Sequence, residues 1–208
     1  MREEKQKTIQ QIYDEFAHTY EENRGNFDVV PVLEDFYGTL EKSTGQLLDL
    51  GCGAGEPVSK WFISKGWEAT GVDFSKSMLE LAQRYVPEMK CIQSDMRNVQ
   101  FTDEQFDAIV AIYSLFHVPW KDHEALFSNA FQWLKREGGM LFTYATSAYT
   151  GEKVFDGYKE FLGQRLYYSH MSEGQLYATL EKVGFVIESA THRNIGGETF
   201  LWVFLKKI

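Results

Sequence analysis

Apolar and polar positions along the chain follow two alternating rhythms. Short apolar runs at residues 47–50, 67–72, 89–93, 106–112 and 140–145 read as buried strands. Between them, residues 57–65, 75–85 and 121–136 carry apolar side chains every three or four positions, as amphipathic helices do. Strand and helix taking turns predict a parallel sheet covered on both faces. Two helical patterns precede this core. Ile9, Ile12, Tyr13, Phe16 and Tyr20 share one face over residues 3–22, and Val32, Leu33, Phe36, Tyr37 and Leu40 share one over 28–42. After the core come a partly aromatic insertion over 146–163, an extended stretch over 164–170 and a helix over 172–182. Two strands follow over 184–190 and 199–206, turning at Gly196-Gly197. A closing hairpin requires one strand antiparallel to its neighbours. The reading is one domain over 1–208, with a helical lid (1–45), a core (46–145) and a substrate-side insertion with the hairpin (146–208).

The first strand runs into Asp49-Leu-Gly51-Cys52-Gly53-Ala-Gly55. Glycines admit positive φ and let a ligand approach the backbone, so this turn is expected to cradle a cofactor at the carboxyl edge of the sheet. A dinucleotide fingerprint would place its third glycine where Glu56 stands, and a carboxylate there repels a pyrophosphate. No Gly-Lys-Ser/Thr follows to make a P-loop. An acid two residues before the first glycine suits a ligand that is positive near the loop and carries no phosphate. S-adenosylmethionine, with its sulfonium, ammonium and single carboxylate, is such a ligand. Asp73, 22 positions beyond Gly51 at the tip of the second strand, is placed to accept ribose hydroxyls.

Residues 47–55 resemble the first motif of class I S-adenosylmethionine-dependent methyltransferases of the small-molecule type. Gly71-Val-Asp73-Phe74-Ser75 resembles the second, and Leu134-x-x-x-Gly138-Gly139-x-Leu141 resembles the approach to the fifth strand. The resemblance implies a Rossmann-like α/β fold: a three-layer αβα sandwich with a seven-stranded, mostly parallel sheet, one antiparallel edge-region strand and an N-terminal helical lid. It also implies a cofactor site made of Tyr20, Asp49, Gly51, Cys52, Gly53, Gly55, Asp73, Phe74, Met78, Ser94, Asp95, Met96 and Ile112. In it Tyr20 reaches the methionine carboxylate, Phe74 and Met78 flank adenine or ribose, and Asp95 receives the exocyclic amine. The backbone N–H of Met96 meets a ring nitrogen, and the backbone after the fourth strand meets the ammonium. The product would be S-adenosylhomocysteine. The Asn-Pro-Pro-Tyr/Phe motif of amino-group methylation in nucleobases and protein glutamine is missing from the loop at 113–119.

Composition narrows the partners. A formal charge of −9 without a basic patch argues against nucleic acid and anionic membrane. A small neutral or cationic methyl acceptor fits better. Cys52 and Cys91 are no disulfide framework, and no metal-ligand spacing occurs among Cys and His. The charged N-terminus lacks the apolar run of a secretory signal. The expected setting is cytoplasmic, as monomer or homodimer, with no metal. Methyl transfer from a sulfonium needs alignment first and a base only where the nucleophile starts protonated. His117, in the loop after the fourth strand, is the first candidate base. Tyr113, His117, Tyr144, Tyr168 and His170 are candidate acceptor contacts. Two other readings stay open at this point: a nicotinamide oxidoreductase, and a protein that binds the cofactor or a partner without catalysis.

Overall fold

In the computed structural model, residues 8–17, 27–161 and 163–208 are described. Two helices precede the sheet, α1 (Ile9–Phe16) and α2 (Val30–Thr39). Helix α1 starts at a capping box in which Thr8 and Gln11 satisfy each other's backbone N–H. The core then alternates β1 (Gln46–Leu50), α3 (Val58–Ser64), β2 (Glu68–Asp73), α4 (Lys76–Tyr85), β3 (Lys90–Gln93), β4 (Phe106–Ala111), α5 (His123–Trp133) and β5 (Leu134–Tyr144). A short helix α6 (Ser147–Thr150) leads to β6 (Phe155–Phe161) and β7 (Gln164–His170). Helix α7 (Glu173–Val183), β8 (Val186–Ile195) and β9 (Glu198–Lys206) complete the chain.

Seven strands form one sheet in the order β3-β2-β1-β4-β5-β9-β8. Strands β1 to β5 pair in parallel, and β9 runs antiparallel to both β5 and β8. This is the predicted seven-stranded sheet with its single reversed strand. Strand β4 shows why helices are needed on both sides. Phe106, Ile109 and Ala111 pack with Leu126, Ala130 and Trp133 of α5 and with Leu176 and Leu180 of α7. The alternate residues Ala108 and Val110, with Ile112 beyond them, pack with Leu33 and Phe36 of α2, Phe62 of α3 and Leu79 of α4. A third cluster of Ile12, Phe116, Ala145, Leu166, Tyr168 and Phe200 closes the carboxyl edge, joining α1 to the β7 and β9 ends.

Two sequence expectations are corrected. The extended stretch at 164–170 is strand β7, but the insertion expected over 146–163 holds its partner, because β6 and β7 pair as an antiparallel hairpin from Phe155↔His170 to Phe161↔Gln164. The helix predicted to reach residue 136 ends at Trp133. Leu134 already pairs with Phe106, and the ladder resumes at Ala108↔Gly139 across a register shift. Glu137, at φ 61°, makes that shift, with its N–H donating to the Lys207 carbonyl.

Asp107 anchors the other edge of the sheet. Its buried carboxylate accepts from Lys42, from Lys135 Nζ at 2.8 Å and from the Gln46 N–H at 2.9 Å. Burial alone would raise its pKa. The Lys135 and Lys42 hydrogen bonds, with the Gln46 N–H, outweigh burial and hold it below the usual carboxylate range. A depressed carboxylate stabilises the folded state above its unfolded pKa and loses that effect as pH falls through the folded one. Asp107→Ala is expected to cost about 2 kcal/mol at pH 7, the scale of hydrogen bonds to a charged group. Urea denaturation checks this, and the difference from the parent protein should shrink below about pH 4.

Candidate active site

The carboxyl edge of the parallel strands holds a cavity of about 510 Å³. Its floor is the glycine turn after β1. Gly51 (φ 79°) and Gly53 (φ 52°) take left-handed conformations that side chains resist. The turn is pinned to β2 by Gly51 N–H and Cys52 N–H, both donating to the Val72 carbonyl, at 2.7 and 3.1 Å. A Cβ on Gly51 would lie 2.3 Å from Cβ of Ser114, whose hydroxyl donates to the Leu50 carbonyl at 2.6 Å. The β1 and β4 ends therefore touch where only glycine fits.

Asp73 ties the next layer together. One oxygen accepts the Gly53 N–H at 2.9 Å and the other the Ser75 N–H at 2.8 Å. Burial raises this carboxyl, and the two N–H groups oppose the rise. The Ser75 hydroxyl caps α4 through the Met78 N–H and donates to Asp14 of α1 at 2.6 Å. Gln10 of α1 adds a hydrogen bond to the Phe74 carbonyl at 3.1 Å. These contacts seat α1 over the cavity, where Ile9, Gln10 and Tyr13 form one wall.

The structure brings Gly51, Gly53, Asp73, Phe74, Ser94, Asp95, Met96, Tyr113 and His117 together around the cavity. Tyr20 lies outside the described residues. Asp49 is buried behind the turn and accepts from Ser59 Oγ of α3 at 2.7 Å; burial pushes its carboxyl up to about 7. Cys52 and Met78 are buried beneath the turn, Met78 Cε lying 3.1 Å from a Cβ on Gly53. Gly55 (φ 76°) serves packing, since its Cβ would meet Val86 and Met89 at 3.0 and 3.1 Å. Ile112 is buried against the α2–α4 layer.

Three predicted acceptor contacts do not line the cavity. Tyr144 is fully buried, and its hydroxyl accepts the Met171 N–H at 3.1 Å and donates to His123 Nδ1 at 2.9 Å. The other ring nitrogen of His123 donates to the Val118 carbonyl, so this chain of hydrogen bonds is a core brace. His170 is also buried, spent on Thr150 Oγ1 and the Met171 carbonyl. Tyr168 stacks on Phe116 at 5.2 Å and pairs its hydroxyl with Tyr149 at 3.2 Å. It stands behind His117, ring centroids 4.9 Å apart, rather than in the cavity wall.

His117 Nδ1 lies 2.7 Å from the Tyr167 carbonyl, which only accepts, so Nδ1 carries the hydrogen. Nε2 then accepts from the Tyr13 hydroxyl at 2.9 Å. Burial lowers the His117 pKa to about 4, only partly offset by the bond to Tyr167, and burial raises that of Tyr13. The pair is neutral at pH 7. Tyr13, Ser114 and Arg97 are among the wall residues that the sequence reading did not select. The helical period placed Tyr13 on a packed face, and only the docking of α1 aims it at His117. Tyr113 keeps a left-handed backbone (φ 54°), its N–H held by Thr143 Oγ1 at 2.6 Å and its ring against Phe200 and Trp202. Its buried hydroxyl has no hydrogen-bond partner among the described residues. Among these residues no group of three His, Cys, Asp or Glu side chains could hold a metal, and no helix is long and apolar enough to cross a membrane.

Residues 47–138 match a family model described as a methyltransferase domain. YqeM of Bacillus subtilis (strain 168), a methyltransferase candidate by name, is 37% identical over 141 residues, covering 65% of this chain and 56% of that protein. Trans-aconitate 2-methyltransferase of Enterobacter sp. (strain 638) is 44% identical over 96 residues, 44% of this chain and 36% of that enzyme. The chain thus spans little more than half, or less, of these curated relatives. The fold is shared with the S-adenosylmethionine-dependent methyltransferase from Mesorhizobium loti (TM-score 0.69, 20% identity, 84% of this chain and 96% of that one). It is shared too with 1,6-didemethyltoxoflavin-N1-methyltransferase from Burkholderia thailandensis, solved with bound 1,6-didemethyltoxoflavin and S-adenosylhomocysteine (TM-score 0.67, 18% identity, 94% of this chain and 87% of that one).

The His117 geometry makes a titration prediction. The unfolded imidazole takes a proton near pH 6.5, whereas the folded one does so near 4. Its share of stability is present above the unfolded value and is lost as pH falls toward the folded one. Nitrogen-15 NMR of the imidazole should show the neutral Nδ1–H tautomer from pH 8 down to about 5. A charged ring at pH 6 would contradict the assignment.

Proposed function

We propose that this chain, which carries a methyltransferase domain of the class I S-adenosylmethionine-dependent superfamily, is an enzyme that moves a methyl group to O, N or C of a small molecule. One observation carries the reading. A glycine floor with open backbone, the Asp73 carboxylate and the Asp95–Met96 turn surround one cavity, and His117 with Tyr13 stands at its other end. The cofactor fits these residues. A side chain on Gly51 would collide with Ser114, and a Cβ on Gly53 would crowd Met78, so bare backbone faces the ligand. The buried acids Asp49 and Asp73 favour a cation at the turn.

S-adenosylmethionine supplies, when bound, a methyl group already activated by its sulfonium. Asp73 accepts the ribose hydroxyls, Asp95 the exocyclic amine of adenine, and the N–H of Met96 donates to the ring. Phe74 flanks the nucleoside. Gly51 and Gly53 leave room for the methionine portion, and Asp49 acts on its positive charge from behind the turn. The unpartnered Tyr113 hydroxyl offers a hydrogen bond to the methionine portion or the acceptor. Alignment of this kind lowers barriers by roughly 7–11 kcal/mol. For a protonated nucleophile, His117 Nε2 is the base. It is neutral at pH 7, its lone pair faces Tyr13, and its Nδ1–H is anchored on Tyr167, which fixes the tautomer. Tyr13 must yield that lone pair, and α1 carries it, so lid movement and base exposure are the same event. A chain with −9 formal charge suits a neutral or cationic acceptor. Unpaired cysteines suit a reducing cytoplasm, and a complete site in one chain suits a monomer or homodimer.

Thermal unfolding with S-adenosylmethionine, S-adenosylhomocysteine and NAD tests the reading. Either adenosyl ligand at 100 times its Kd adds about 2.7 kcal/mol to the folded state, and NAD should add nothing. Asp73→Ala is expected to weaken S-adenosylhomocysteine about 100-fold in calorimetry, through two lost charge-assisted hydrogen bonds. Unchanged affinity in that variant would overturn the ribose assignment.

A further inference from the structure

Among the described wall residues, Arg97 sends all three of its side-chain nitrogens to carboxylates. Its Nε reaches Asp95 Oδ1 at 3.0 Å and Oδ2 at 3.2 Å, and its Nη2 reaches Asp95 Oδ2 at 2.6 Å. Its Nη1 reaches Asp122 Oδ2 at 3.0 Å, and its backbone N–H donates to Asp95 Oδ1 at 2.9 Å. Asp95 follows β3 and lines the cavity. Asp122 ends the turn that follows Tyr113, Ser114 and His117 and leads into α5. The guanidinium therefore bridges the two loops that face each other across the cavity.

Stability does not explain the arrangement. Arg97, Asp95 and Asp122 are 41%, 29% and 44% exposed, and exposed ion pairs contribute about 0–1 kcal/mol. What a planar fork does well is fix the plane of a carboxylate. A carboxylate has about four acceptor sites. In Asp95, Oδ1 takes the backbone N–H and Nε of Arg97, and Oδ2 takes Nη2, with the Nε hydrogen shared onto Oδ2 at 3.2 Å. The Oδ2 direction that holds only this longer, shared arm is the one open to another donor.

We propose that Arg97 is a positioning residue for cofactor specificity: by saturating the rest of Asp95 it aims the open Oδ2 direction at the 6-position of the purine, so that a 6-amino group is taken and a 6-oxo group refused. The inference rests on the adenine role proposed above for Asp95. A 6-oxo purine brings a carbonyl oxygen against a carboxylate whose orientation Arg97 does not allow to relax. Without Arg97, Asp95 turns, a water enters, and the two bases become similar.

Calorimetry with S-adenosyl-L-homocysteine and its 6-oxo analogue, S-inosyl-L-homocysteine, reads this directly. The parent protein should prefer the amino form by at least tenfold. Arg97→Met should weaken the amino form roughly tenfold, the scale of a lost charge-assisted contact, and reduce the preference to under threefold. The melting temperature of the unliganded variant should stay within about 3 °C of the parent. Arg97→Lys keeps a charge but not the fork, and should recover affinity in part while leaving the preference low. Asp122→Asn, which frees one arm of the fork, should lower the preference by a smaller factor, and it remains informative where Arg97→Met does not fold. Equal binding of the two ligands to the parent protein would overturn the Asp95 role itself. A parent preference that survives intact in Arg97→Met or Arg97→Lys would overturn the Arg97 proposal alone. A purely structural role predicts a lower melting temperature with an unchanged ratio of the two affinities, and that result too would overturn it.

Discussion

The Asp73 carboxylate holds three elements at one point. Its two oxygens take N–H groups from the glycine turn and from the start of α4, and Ser75, which it orients, donates its hydroxyl to Asp14 of α1. Remove the carboxylate and two inward-facing N–H groups lose their partner, at about 1–3 kcal/mol each. The glycine turn would lose its tether to β2 beyond Val72, and α1 would lose the oriented hydroxyl on which it docks. Burial works against the charge that makes this possible, and the N–H groups are what oppose burial. Both oxygens keep acceptor capacity beyond these two N–H groups, and on the proposed function that capacity serves the ribose diol. Fold and site thus depend on the same carboxyl group.

The three glycines looked alike in sequence, yet they answer three constraints. Gly51 exists because the β1 and β4 ends touch at Ser114. Gly53 frees a backbone N–H for Asp73, and Gly55 makes room for Val86 and Met89. All three have positive φ, so turn chemistry alone could not separate them. The distinction needs to know which side chains arrive from elsewhere, and Ser114 and Val86 come from the loop after β4 and from the end of α4.

That limit describes most of what the sequence left unread. Strand β4 was legible because an apolar run of its length, between turn signals, has few other uses. Its two packing faces then follow from the alternation of Phe106, Ile109 and Ala111 with Ala108 and Val110. Asp73 and Asp95 were legible because a strand end next to a glycine turn confers a location. Of the β6–β7 hairpin the extended stretch of β7 was legible but β6 was not, since its outward positions Asp156, Tyr158 and Glu160 are polar or aromatic and its stabilising pairs are cross-strand. The early start of β5 was hidden because Glu137-Gly138-Gly139 reads as a helix terminator, whereas here it makes a bulge. Tyr144 and His170 drew attention as polar residues near strand ends. Partners in α5, at Met171 just past β7 and in α6 consume their hydrogen bonds, and no local pattern announces that.

The kind of titratable group separates the two ends of the site. The acids Asp49 and Asp73 lie around the glycine turn, where burial raises both and a nearby cation would favour their charged forms, while the far end carries His117 and Tyr13, which are neutral at pH 7. On the proposed function, methyl transfer removes a positive charge from the carboxylate end. Those carboxylates therefore hold the reactant form of the cofactor more tightly than the product form, with a difference set by the low local dielectric. Attraction felt in the ground state and lost on the way to product does not lower a barrier. Its use lies in exchange, favouring a charged incoming cofactor over a neutral spent one. Acceleration must then come from alignment, and the features that provide it are the constrained ones: a glycine floor that admits no side chain, a Tyr113 held at left-handed φ, and an imidazole fixed in one tautomer by a backbone carbonyl. Each costs conformational freedom or strain when the chain folds, so that little is left to be ordered when the reactants meet.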